Sequence, residues 1–180
     1  VKRTDPTEYR SQKRGGVGVV DLETKEEDVV THLLTTSTHS DLLFFTNKGK
    51  AYQLKMYDIP EGRRATKGKS IMNFLQLSAE EKVTSIVSLA KDMKGNSPFL
   101  VLVTSKGVAK KMKAESFADV RRSGLIAIRL DDGDELHSAN FLDKSDEIIM
   151  ATKMGQSIRF KESDIREMGR NAAGVRAIKL

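Results

Sequence analysis

A repeat of about 50 residues runs along the chain and limits the folds that it can adopt. In each complete copy an apolar run of strand length ends in Thr-x-x-Gly, and a second glycine follows 17 or 19 residues later. The threonines are Thr46, Thr104 and Thr152, and the longer first spacing indicates an insertion near residues 91–98. Such a period is typical of solenoids, propellers and arrays of small units. The sequence therefore predicts a repeated architecture.

The N-terminal residues belong to the same series. Gly18 aligns with the second glycines Gly68 and Gly174, and Arg3 stands 15 residues before Gly18, as Arg159 does before Gly174. The predicted repeats are approximately 1–26 (partial), 27–77, 81–130 and 133–180. Because the polar start lacks an initiator Met, we expect a segment of a longer cytoplasmic polypeptide.

Each unit contains four short β-type runs. The first runs cover 29–36, 83–89 and 136–141; the hairpin around Thr-x-x-Gly supplies two more; the last cover 70–75, 125–130 and 175–180. Four short strands in about 50 residues are typical of a propeller blade. We predict an all-β, propeller-like array of three to four four-stranded blades. The sequence leaves open whether the array closes into a ring.

Basic charge follows the repeat. The chain has 31 Lys and Arg against 25 Asp and Glu, a net charge of +6. Segments 1–18, 48–69, 106–122 and 153–179 carry +3, +5, +4 and +4, whereas 19–47 and 131–147 carry −5 and −6. Equivalent segments of stacked units lie on equivalent faces, so the pattern predicts a continuous cationic stripe. Its natural partner is an extended polyanion.

One arginine recurs at the same place in every unit. Arg14, Arg64 and Arg170 stand four residues before the second glycine, and Arg122 takes that place in the copy shortened by two residues. A second basic column follows the hairpin turn: Lys2/Arg3, Lys110/Lys111 and Arg159, with Tyr52/Gln53 as the exception. A single such residue is ordinarily solvated surface, but repetition favours a shared binding role.

The residues offer no catalytic or metal site. There is no cysteine, and His32, His39 and His137 lack ligand spacing. The glycine-rich stretch 62–70 has five residues between its glycines where a phosphate-binding P-loop needs four. No apolar run approaches the length of a membrane span. We therefore expect a binding module.

The heptapeptide Gln12-Lys13-Arg14-Gly15-Gly16-Val17-Gly18 closely resembles the gyrase A box, Gln-Arg-Arg-Gly-Gly-Lys-Gly, of the C-terminal domain of the DNA gyrase A protein. The residues before it, and the later Thr-x-x-Gly and Arg…Gly signals, are also similar to that family. The resemblance covers essentially the whole chain. Lys13 replaces an arginine conservatively, and Val17 stands where the box has its lysine.

The resemblance implies a β-pinwheel, whose blades exchange strands with their neighbours. It implies sequence-independent binding and chiral wrapping of duplex DNA around a basic outer rim, which enables negative supercoiling. The expected DNA-binding residues are Gln12, Lys13, Arg14, Gly15, Gly16, Gly18, Lys2, Arg3, Lys48, Lys50, Arg63, Arg64, Lys67, Lys69, Lys106, Lys110, Lys111, Arg121, Arg122, Arg159, Arg170 and Arg176.

The resemblance also implies a context. The partners would be double-stranded DNA, the gyrase B protein and the rest of the gyrase A protein, in an A2B2 heterotetramer in the bacterial cytoplasm, at the nucleoid. The cleavage tyrosine, ATP and Mg²⁺ would lie elsewhere in the holoenzyme. The segment itself is expected to be monomeric, to bind no cofactor or metal, and to be no enzyme on its own.

Two alternatives stay open. One is the C-terminal domain of the topoisomerase IV homologue, which shares the blade repeat, usually has a degraded box, and wraps DNA weakly. The other is a propeller-like scaffold whose basic segments meet acidic proteins.

Overall fold

The described residues form three antiparallel sheets joined by turns and short 3-10 segments. The computed structural model describes residues 1–20, 22–23, 28–89 and 98–180, and no α-helix occurs among them. The strands are β1 (Asp41–Thr46), β2 (Lys50–Lys55), β3 (Val83–Leu89), β4 (Phe99–Thr104), β5 (Val108–Lys113), β6 (Leu125–Ile126), β7 (Leu136–Leu142), β8 (Glu147–Ala151), β9 (Ser157–Lys161) and β10 (Val175–Arg176). The all-β prediction is confirmed.

Each four-stranded sheet combines strands from two successive repeats. The orders are β3-β1-β2-β6 and β10-β5-β4-β7, and β8 pairs with β9 alone. The hairpin β1–β2 of one repeat is thus flanked by the first and last strands of the next repeat, and β4–β5 is flanked in the same way. This is the strand exchange that the resemblance implied. The predicted boundary at residue 26 and most of the predicted insertion at 91–98 lie outside the described residues.

The hairpin glycine is a point of close approach between successive repeats. The carbonyl of Gly107 accepts the N–H groups of Ala177 and Ile178 at 2.9 and 3.2 Å. A Cβ on Gly107 would lie 2.6 Å from the carbonyl oxygen of Ile178. Gly49 has the same two bonds with the following repeat. For the equivalent Gly155, no atom of the described residues lies within 4 Å of such a Cβ, its own chain neighbours aside.

Two predicted strands are wrong, for one physical reason. Residues 28–36 form no strand, although the equivalent β3 and β7 do. Both β3 and β7 pair with the first hairpin strand of the preceding repeat, and among the described residues no such strand precedes 28–36. Residues 70–75 begin with a 3-10 segment, Ile71–Asn73, instead of a strand. There the β6-type pairing is limited to bonds between Lys69 and Val1.

The core lies between the sheets. Leu43 and Phe45 of β1 pack with Leu100 and Leu102 of β4, and all four are fully buried. Phe117, from the 3-10 segment after β5, meets Phe45 edge-to-face with ring centroids 5.4 Å apart. Because alternate side chains of a strand point to opposite faces, the remaining β4 residues face the β8–β9 hairpin.

Candidate nucleic-acid interface

The four recurring arginines occupy equivalent turns. Each is the first of the two central residues of a turn closed by a backbone hydrogen bond, across 13–16, 63–66, 121–124 and 169–172. The closing N–H···O distances are 3.0, 3.3, 2.9 and 3.1 Å. We call these segments the arginine turns. The sequence alignment of the four arginines is therefore also a structural alignment.

The arginine side chains are available to an external anion. Arg14, Arg122 and Arg170 are exposed. Arg64 is half-buried, and its Nη1 donates to the carbonyl of Glu8 at 3.1 Å. Within the part of the chain that the structure describes, none of the four forms an ion pair with a carboxylate. Their charges therefore remain open to a phosphate.

The box folds into a loop that Gln12 closes. Its Oε1 accepts the N–H of Gly18 at 2.9 Å, six residues along the chain. A Cβ on Gly16 would lie 2.6 Å from that same oxygen, so a larger residue there would displace the Gln12 amide that closes the loop. Gly15, at φ +82°, supplies the backbone conformation of the turn. Gln12 thus shapes the loop, while Lys13 and Arg14 are exposed on it.

The remaining predicted residues divide into open and paired cations. Lys13, Arg63, Lys69, Arg121 and Arg176 are exposed. Lys48, Lys67 and Arg159 lie 3.6, 3.7 and 3.6 Å from Glu80, Glu23 and Glu147, and Lys106 Nζ donates to the carbonyl of Asp132. Exposed pairs are worth only about 0–1 kcal/mol, so a phosphate can displace them.

The prediction for the second basic column is wrong at Lys110 and Lys111. Lys110 is fully buried, and burial lowers the pKa of its ammonium to about 8. Lys111 is also buried, with its Nζ 2.6 Å from Glu162 Oε1. Both faces of β5 are covered because it lies inside the stack, so neither lysine reaches the surface. Tyr52 occupies the same position as Lys110 in its own repeat. This uncharged residue already indicated, in the sequence, that the position does not require a charge.

Arg3, which forms an isolated bridge with Glu61, and Lys50, in β2, are half-buried. Arg3 donates to the carbonyl of Ile59 at 3.2 Å and lies 3.3 Å from Glu61. Lys50 Nζ is 3.9 Å from the buried carboxylate of Glu81. The charged groups of Arg3 and Lys50 thus contact residues of the following repeat.

The family profile described as "DNA gyrase C-terminal domain, beta-propeller" matches residues 1–37, 40–90, 98–143 and 146–180. The chain belongs to the DNA gyrase C-terminal domain family. This gyrase domain is 48% identical over 176 residues to the DNA gyrase A protein of Clostridium acetobutylicum and 46% identical over 178 residues to that of Halalkalibacterium halodurans. These matches cover 98% and 99% of the chain, which spans 21% of each relative.

Solved structures show the same fold for this gyrase domain. A DNA gyrase A C-terminal domain matches with a TM-score of 0.76 at 28% identity, covering 99% of this chain and 56% of that one. A C-terminal domain of DNA topoisomerase IV matches with a TM-score of 0.78 at 26% identity, covering 97% and 52%. The fold is therefore shared by both kinds of topoisomerase domain.

Metal-binding clusters and membrane-spanning helices are both absent from the described residues of the gyrase domain. Across residues 1–20, 22–23, 28–89 and 98–180, no three His, Asp or Glu side chains are grouped so as to hold a metal ion. In the same ranges, no helix has the length and apolar character needed to cross a membrane.

Proposed function

We propose that this gyrase domain binds duplex DNA without reading its sequence and wraps it along the arginine turns in a handed sense, so that gyrase can introduce negative supercoils. The observation that carries the proposal is the recurrence of one arginine, with no carboxylate partner among the described residues, at the same turn of four successive repeats. Cations that recur once per repeat suit the repeating charges of the phosphate backbone, whereas no recognition helix is present in the described ranges to read bases.

The energetics favour many equivalent contacts over one strong contact. Bending 20–30 base pairs by 40–90° costs about 1–6 kcal/mol, which the phosphate contacts must offset. With about 6–10 phosphates neutralised, affinity falls about 10³–10⁵-fold between 50 and 200 mM salt.

A charge-matched comparison tests the binding surface. One variant replaces Arg14, Arg122 and Arg170 by alanine, and the control replaces the exposed lysines Lys113, Lys144 and Lys179. Both lose three charges. We expect the slope of log affinity against log salt to become shallower by about 2.7 in the arginine variant and to change much less in the control. Equal losses in the two variants would contradict the assignment of the arginine turns.

Wrapping needs a separate measurement. Nicked circular DNA is ligated with the domain bound, and the topology of the product gives the sign and amount of trapped writhe. A consistent positive writhe supports wrapping, while DNA binding without writhe favours the topoisomerase IV type of domain. The box, with six of its seven positions kept or conservatively replaced, favours the gyrase type. Tight binding to an acidic protein with no effect on DNA topology would favour the scaffold alternative.

The wider context also belongs to the proposal. The domain would act in an A2B2 assembly of the gyrase A and B proteins in the bacterial cytoplasm, with the cleavage tyrosine, ATP and Mg²⁺ bound outside it. The domain would then bind DNA as a monomer with no cofactor and no catalytic residue of its own.

A further inference from the structure

One position of the repeat contacts the arginine turn of the next repeat in three places. Lys2, Tyr52 and Lys110 are equivalent in the repeat alignment. Lys2 Nζ donates to the carbonyls of Arg63 and Thr66 at 3.1 and 3.3 Å, inside the turn 63–66. The same relation recurs at the next two turns, with different chemistry.

Lys110 binds the backbone of the last arginine turn, 169–172. Its Nζ donates to the carbonyl of Arg170 at 2.5 Å and to the carbonyl of Ala127 at 2.6 Å. The side chain is fully buried, so these carbonyls replace water around the ammonium. The Arg170 backbone is thereby tied to β5 of the preceding repeat, while the Arg170 side chain is exposed.

Tyr52 supports the turn 121–124 by packing. A Cβ on Gly124 would lie 2.8 Å from the ring carbons Cε1 and Cζ of Tyr52. The ring is held in place because its hydroxyl donates to Glu81 at 3.1 Å, and burial together with Glu81 raises the pKa of Tyr52 to about 12. Burial alone would raise the pKa of the Glu81 carboxyl, but bonds from Thr46, Ser78 and Tyr52 outweigh it and keep that pKa low.

We propose that Lys2, Tyr52 and Lys110 are positioning residues: each sets where the arginine turn of the following repeat presents its guanidinium to DNA. The DNA-binding part of this inference rests on the proposed function. An ammonium and a phenol ring serve the same purpose because the requirement is a fixed support and not a charge. The three residues act through Arg64, Arg122 and Arg170 respectively.

A double-mutant cycle separates positioning from direct contact. The variants are Lys110→Met, Arg170→Ala and both together, with Lys113→Met as a control that removes one exposed charge from the same strand. We expect Lys110→Met and Arg170→Ala each to weaken DNA binding about tenfold, and the second change to add less than about twofold to the first. Lys113→Met should weaken binding less than Lys110→Met. Additive losses would overturn the proposal.

A readout without DNA tests the support itself. The N–H of Ala172 closes the arginine turn by donating to Gly169, so its hydrogen exchange reports on the order of the turn. We expect exchange at Ala172 to be about tenfold faster in Lys110→Met than in Lys113→Met, the effect of losing one hydrogen bond. Unchanged exchange would overturn the proposal. If the unaltered domain fails to bind DNA, the proposed function is refuted, and the exchange result alone decides the positioning claim.

Lys2, which is half-buried, provides the same test at the turn 63–66. Lys2→Met is combined with Arg64→Ala, and exchange is followed at the Thr66 N–H, which donates to Arg63 at 3.3 Å. Coupled losses of affinity and faster exchange at Thr66 are expected. Additive losses with unchanged exchange would overturn the positioning role and mean that Lys2 contacts phosphate directly, as the sequence analysis predicted.

Discussion

Replacing the hairpin glycines by alanine separates two demands that this position makes on the chain. Gly107 and Gly155 occupy the same hairpin turn in successive repeats, with φ of +79° and +82°. An L side chain is strained at such angles by about 1–2 kcal/mol. A less flexible unfolded chain offsets about 0.4–1 kcal/mol of that strain. We expect Gly155→Ala to lower the free energy of unfolding by about 1 kcal/mol.

Gly107→Ala adds a steric cost that Gly155→Ala lacks. The new methyl carbon would meet the Ile178 carbonyl oxygen at 2.6 Å and its Cγ2 at 2.9 Å. Overpacking of this kind costs about 1–3 kcal/mol. Displacing the segment also weakens the bonds from Ala177 and Ile178 to the Gly107 carbonyl, each worth about 1 kcal/mol. The expected total for Gly107→Ala is therefore about 3–5 kcal/mol.

Urea denaturation followed by circular dichroism measures both variants against the unaltered domain. Hydrogen exchange at Ala177 and Ile178 then shows whether the loss is local to the contact between repeats. Equal destabilisation by the two substitutions would refute the reasoning, because it would mean that backbone conformation alone explains the glycine.

Three further predictions concern other sites. The pKa of Lys110 is about 8 in the folded domain and 10.5 when solvated. Between these pH values Lys110 is therefore protonated in the unfolded chain and mostly neutral in the folded domain. The unfolding free energy relative to Lys110→Met should then rise by about 2 kcal/mol from about pH 7 to about pH 9.5, and a flat difference in urea titrations would contradict the burial argument. Phe117→Ala should cost about 3–5 kcal/mol by the same assay, against less than about 0.5 kcal/mol for the fully exposed Val17→Ala; similar costs would contradict the placement of Phe117 in the core. Gln12→Ala should weaken DNA binding while leaving its salt dependence unchanged, since Gln12 closes the box loop without carrying charge; a shallower slope would indicate lost phosphate contacts.

Most of the fold could be predicted because the repeat and the strand periodicity agree. The Thr-x-x-Gly hairpins and the β-type runs at 83–89 and 136–141 are present as expected. The run at 29–36 failed because strand formation depends on a partner, and no first hairpin strand precedes this run among the described residues. Local pattern shows that a run can pair, but not whether another strand lies beside it.

The candidate site could be predicted where charge and turn coincide. The four arginines were located by position alone, and their turns are equivalent in the structure. The prediction that Lys110 and Lys111 bind DNA was wrong. An alternating run is typical of a half-exposed strand, but strand exchange covers both faces of β5 and buries both lysines. The structural role of Gln12 could not be predicted either, since a side-chain amide that closes a loop changes neither the charge nor the hydrophobic pattern of the sequence.

The interleaving of strands has a consequence for the order in which a ribosome completes this domain. The sheet begun by β1 at Asp41 acquires its last strand only with Ile126. Until that later stretch has emerged, the outer edge of β2 offers unpaired backbone groups to any passing strand. Synthesis therefore carries one unfinished sheet at almost every stage, and a pause between repeats would be the moment of greatest risk of aggregation.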